Sequence, residues 1–112
     1  MQDNELLGLA AKAAGHEYGV IHSAPHIRCD AGWTPWDPRE DDGDALRLLA
    51  AIPSLWQLSL MFGAPTIQLD VMWGHKGVQA VEHGATPGPD RAKSIRCAIV
   101  RAAAEIGKAK AA

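Results

Sequence analysis

Residues 55–62, LWQLSLMF, and 66–73, TIQLDVMW, alternate apolar and polar side chains, and only Gly63-Ala64-Pro65 separates them. Alternation with a period of two places every second side chain on one face of a strand, whereas a helix would scatter the same residues around its axis. Two such runs joined by three turn-forming residues predict an antiparallel hairpin. Trp56, Leu58, Leu60 and Phe62 then share one face of the first strand, and Ile67, Leu69, Val71 and Trp73 one face of the second. The reverse face carries Gln57, Ser59, Gln68, Asp70 and Met72. Gly74-His75-Lys76-Gly77 predicts a second turn, leading to a third strand over Val78 to Glu82. A sheet that is apolar on one face and polar on the other calls for a helical layer on the apolar side.

Three segments have the spacing to supply that layer. Leu6, Leu7, Leu9, Ala10, Ala13 and Ala14 line one side of a helix over Asn4 to Ala14, with Asp3 as its cap and Gly15 at its end. A second helix starts at Asp41 or Asp42, buries Ala45, Leu48, Leu49 and Ile52, and stops at Pro53. The third runs from a cap at Asp90 to about Ile106, with Ala92, Ile95, Ala98, Ile99, Ala102, Ala103 and Ile106 inward, Gly107 beyond its end and an Ala/Lys tail that frays. Between the first two helices, Tyr18 to Cys29 predicts two short strands around a Ser23-Ala24-Pro25 turn. The expected order is αββαβββα: one α+β domain over residues 1–112, in two layers, with helices packed on one face of an antiparallel sheet.

At 47% hydrophobic and 21% charged residues the chain is neither disordered nor membrane-spanning, because polar residues interrupt every apolar run short of a bilayer span. The opening MQDNELLGLA lacks the basic start and apolar stretch of a secretory signal, so a cytoplasmic protein is expected. Cys29 and Cys97 are too few and too far apart for a disulfide framework. The net charge of -2 hides an asymmetry: residues 1–89 carry five basic and eleven acidic side chains, residues 90–112 six and two. The basic C-terminal segment therefore meets either an acidic partner or the acidic segment of its own chain.

Four groups of residues offer chemistry, each beside a plainer explanation. His22, His26 and Cys29, followed by Asp30, are ligand types that zinc accepts, but they span a strand, a turn and a strand and need not converge. Ordinary hairpin residues are the favoured reading, and no metal or cofactor is expected. Asp37, Glu40, Asp41, Asp42 and Asp44 crowd oxygen ligands suited to a hard cation, yet helix capping accounts for at least two and the EF-hand spacing is missing. Trp33 and Trp36 flank Thr34-Pro35 and either seal a core edge or form a recognition surface, with Trp33 expected to be the more buried. Arg91, Lys93, Arg96 and Arg101 on the last helix are the candidates for phosphate contacts, and αβββα from Asp42 onward matches the topology of the double-stranded RNA-binding domain. The acidic balance and the absence of that domain's lysine cluster weigh against this reading. No Ser/His/Asp or Cys/His set stands in a recognisable context, so no enzyme is expected.

The stretches WDPREDDGDALRLL, from Trp36, and RCAIVRAAAEIG, ending at Gly107, resemble a group of small proteins of tailed bacteriophages and proteobacterial prophages, as does the opening ELLGLAAKAAG. These segments cover under half of the chain, and residues 55–83 match nothing in the group. The resemblance implies a phage or prophage origin, expression in the host bacterial cytoplasm and no enzymatic activity. It supplies no catalytic residues. The leading expectation is thus a non-enzymatic accessory protein, monomer or homodimer, that binds a host protein such as a subunit of a CRISPR–Cas defence complex. Its contacts are expected at Gln57, Gln68, Asp70, His75 and Lys76, with Trp33, Trp36, Asp37 and Glu40 of the acidic loop. The alternatives are a nucleic-acid-binding regulator and a small metal-dependent enzyme.

Overall fold

The apolar patterns fold as α1 (Asp3–Ala13), β1 (Tyr18–Ile21), β2 (Ala24–Cys29), β3 (Gly32–Pro35), α2 (Asp42–Ala51), β4 (Leu55–Leu60), β5 (Thr66–Trp73), β6 (Lys76–His83) and α3 (Pro89–Ala111). The structure, a computed structural model, describes residues 3–30, 32–60, 66–73, 76–83 and 87–111. The turn at Gly63-Ala64-Pro65, Phe62 and His75 lie outside the described residues. The class is α+β, and the strands form two antiparallel sheets, β1-β2-β3 and β4-β5-β6.

β3 is an addition to the expected order. Its residues, GWTP, read from sequence as the approach to α2, but they pair with β2 from His26↔Pro35 to Cys29↔Gly32. The first turn also moves. Ile21 pairs with Ala24, so the two-residue loop is His22-Ser23, at φ of 51° and 63°, and Ala24 and Pro25 belong to β2. Positive φ at both loop residues is the geometry whose twist suits a tight hairpin, and it favours Asn and Gly over Ser. Ser23→Gly is therefore expected to raise stability by about 0.5–1 kcal/mol, read as a higher urea midpoint at unchanged slope.

α3 is the spine of the molecule, packed against α1, α2, β5 and β6. Between Ala98 and Gly107 only Arg101 and Glu105 are exposed; Val100 and Ala104, off the expected stripe, are buried with the rest. A helix covered on several sides cannot show a simple two-sided pattern. Gly107 does not end the helix. A Cβ placed there would run into the Leu9 carbonyl of α1, so the glycine permits a close backbone approach of the two helices. The helix continues to Ala111 and is held rather than frayed, because Lys110 Nζ donates to the Ala13 carbonyl at 3.0 Å, one of the last free carbonyls of α1. Gly15, at φ 80°, closes that same end: its amide donates to Lys12 O and the His16 amide to Ala11 O.

One contiguous core joins Leu7 and Ala10 of α1, Ile27 of β2, Trp36, Leu48 of α2, Ile67, Leu69 and Val71 of β5, and Val100 and Ile106 of α3. Of the expected inward face of β5, Ile67, Leu69 and Val71 are buried, and the side chain of Trp73 lies outside the described residues. Trp56 and Leu58 stand opposite Val71 and Leu69 and share that face, with Leu58 left half-exposed because β4 is an edge strand; the side chain of Leu60 lies outside the described residues.

Candidate functional site

The outward face of the β4-β5-β6 sheet has no other element packed on it among the described residues. Register places Gln57, Asp70 and Gln79 in one row and Ser59, Gln68 and Val81 in the next. Gln68 Nε2 and Gln79 Nε2 each donate to the Asp70 carboxylate at 3.0 Å, one to each oxygen. These two amides hold the carboxyl of Asp70 below its ordinary range, so it is ionised and fixed in direction. Gln57 is exposed beside it, and Met72 is half-exposed one step along β5. Thr66 Oγ1 and His83 Nδ1 lie 3.3 Å apart in the last row. Gln57, Gln68 and Asp70 thus come together as a polar surface, with Gln79 as a member that sequence did not single out. Its exposure by period-two spacing from Val78 and Ala80 was the available signal. His75 and the side chain of Lys76 lie outside the described residues.

The tryptophans reverse the expected order of burial. Trp36 is the buried one, its ring edge-on to Tyr18 with centroids 6.2 Å apart, while Trp33 is 44% exposed. Trp33 lies on the outer face of its sheet, where its ring covers Gly19: a Cβ on that glycine would sit 3.1 Å from the Trp33 ring. An aromatic over a cross-strand glycine replaces the packing that the missing side chain cannot give. Burial pushes the Tyr18 phenol up, which keeps it neutral beside Trp36, and its hydroxyl donates to Asn4 Oδ1.

The acidic loop closes on itself and on three arginines. Asp41 caps α2, its Oδ2 accepting the Asp44 amide at 2.8 Å. Asp44 Oδ2 accepts the Asp37 amide at 3.0 Å, and its Oδ1 accepts from Arg47 Nη2 at 2.8 Å. Arg39 grips both oxygens of Asp37 through Nε and Nη2, and reaches Asp3 through Nη1 at 3.0 Å. The paired Asp37 carboxylate raises the Arg39 guanidinium further above its usual value. Asp42 meets Arg96 Nη1 at 2.6 Å, and Arg96 Nε donates to the Arg39 carbonyl. Asp37 is therefore a structural anchor; Glu40 stays exposed at the surface.

The four basic candidates of α3 divide. Arg96 binds α2 and its entry loop, and Arg101 Nη1 binds Glu82 Oε1 at 2.7 Å and the Val81 carbonyl at 3.3 Å. Part of the C-terminal basic charge thus pairs with the acidic segment of the same chain. Lys93 is exposed, and Arg91 also makes an interaction.

The His22, His26 and Cys29 side chains are not brought together. His22 is in the turn, and His26 and Cys29, three residues apart on one strand, point to opposite faces of the sheet. His26 Nδ1 donates to the Ala24 carbonyl at 2.9 Å, and Cys29 is exposed. Among the described residues no three His, Cys, Asp or Glu side chains gather as a metal set, and no helix is long and apolar enough to cross a membrane. Burial pushes the Cys97 thiol up, away from a nucleophilic thiolate.

Two concavities were not legible in the sequence. One, about 500 Å³, lies between the free edge of β6 and helices α1 and α3. The other, about 280 Å³ and almost wholly apolar, lies between α2 and α3 at Leu46, Ile95 and Ile99, with the Asp42–Arg96 pair on its rim. No protein-family model, no curated protein and no solved structure matches the chain.

Proposed function

We propose that the protein is a non-catalytic binding module for a host bacterial protein, working in the bacterial cytoplasm, with the outward face of β4-β5-β6 as its contact surface. The observation that carries this reading is the Asp70 carboxylate, fixed by two amides on an uncovered sheet face beside half-exposed Met72. A charge already held in one direction loses little freedom when a partner docks, and the flexible methionine adapts to an apolar surface next to it. The resemblance to phage and prophage proteins supports a host target and makes a subunit of a CRISPR–Cas complex the first one to test.

The test is capture from host lysate with tagged protein, comparing wild type with Asp70→Arg, Met72→Glu and Lys93→Ala after circular dichroism has confirmed folding. One host protein should be retained at about one-to-one stoichiometry by wild type and Lys93→Ala, and lost by at least tenfold in the two sheet variants. A wild type without a stoichiometric partner, or a partner indifferent to both sheet variants, overturns the reading. Loss confined to Lys93→Ala would point to the basic helix instead.

A further inference from the structure

We infer that the free edge of β6 is a second binding site, taking an extended segment of a partner polypeptide as an added strand, with one apolar and one basic side chain directed at α3. Among the described residues β6 pairs with β5 alone, so its other edge has no strand partner there. Arg101, which lines the same cleft as that edge, donates through Nη1 to the Val81 carbonyl. Backbone groups alternate in direction along a strand, so Gly77 and Gln79 present theirs on the same side. These are the unpaired groups that strand addition uses.

The cleft of about 500 Å³ runs along this edge from Gly77 to Ala80. Four residues of extended chain span about 13 Å, the length of a short peptide strand. Leu6 of α1 and Arg101, Ala102 and Glu105 of α3 close its far side. An added strand would lie between β6 and that wall.

The chemistry of the wall selects the occupant. Leu6, Val78 and Ala102 present an apolar floor. Arg101, which would otherwise attract an acid, is closed by Glu82 and Val81. Glu105, one turn further on, is exposed and has no ion-pair partner among the described residues, so it is left to meet a cation. An inward apolar side chain followed two residues later by lysine or arginine matches both.

The test titrates the full chain, labelled with ¹⁵N, with a blocked pentapeptide of threonine, valine, threonine, lysine and threonine. The amides of Gly77, Gln79 and Val81 should shift and become slower to exchange. Replacing the peptide lysine by glutamate should weaken binding about fivefold, and Glu105→Lys, a surface change, should reverse that preference. N-methylation of the peptide amides that face β6 should abolish binding. Unmoved amides at millimolar peptide, equal affinity for both peptides in both proteins, or the same shifts on concentrating the protein alone, as a second copy would give, each overturn the proposal. Met72→Glu should leave peptide binding unchanged, so failure here and failure of the outward-face reading are separable.

Discussion

Gly107→Ala should lower stability by about 3 kcal/mol or more, a fall in Tm of roughly 10 °C or more for a chain of this size. The sign is what makes the result informative. In an open helix interior, alanine in place of glycine adds about 1 kcal/mol of stability, because glycine has more backbone freedom to lose. At Gly107 the added methyl group would meet the backbone carbonyl of Leu9, and a backbone cannot swing aside as a side chain can. The change therefore forces α1 and α3 apart along the interface that carries Leu7, Ala10, Val100 and Ile106 in the shared core. Lys108→Ala, one residue further at an exposed position, serves as the control and should change stability by less than about 0.5 kcal/mol. A neutral or stabilising Gly107→Ala, measured by thermal and urea unfolding, would mean that the helices are not in backbone contact there.

The second large effect separates the two tryptophans. Trp36→Ala should cost about 3–5 kcal/mol, since it removes a buried indole and the edge-on contact with Tyr18 that ties the segment before α2 to β1. Trp33→Ala, at a ring 44% exposed, should cost about 1 kcal/mol, mostly by uncovering Gly19. Urea unfolding of the two variants under the same conditions checks the contrast. The reverse order, or equal losses, would put the buried ring at the wrong position. Emission of the Trp36→Ala protein should also lose a blue-shifted component, while Trp33→Ala should lose a red-shifted one.

These two positions show where reading the sequence succeeds and where it stops. Ile67, Leu69 and Val71 were legible as a buried face because alternation reports which side of one strand avoids water, and that needs no knowledge of neighbours. The cap of α2 was legible to within one residue, since a carboxylate three positions before an amide is a local geometry; Asp41 fills it. The outward set of Gln57, Gln68 and Asp70 followed from the same alternation. Trp33 and Trp36 could not be ranked in this way, because the hidden strand β3 ends between them and only its pairing with β2 decides which ring faces the core.

The local pattern of the chain determined three helices, the β4-β5-β6 meander, its polar outward face and the stops at Gly15 and Pro53, all of which depend on residues a few positions apart. Tertiary structure alone decided that the strands split into two sheets, that Gly107 is a helix contact instead of a helix end, and that Arg96 and Arg101 turn to Asp42 and Glu82. It alone made the cleft beside β6. The reason is one of range: propensity and periodicity report the preference of a segment for water or core, while close backbone approach and long-range ion pairing depend on which segment arrives opposite, information that no single window of sequence contains.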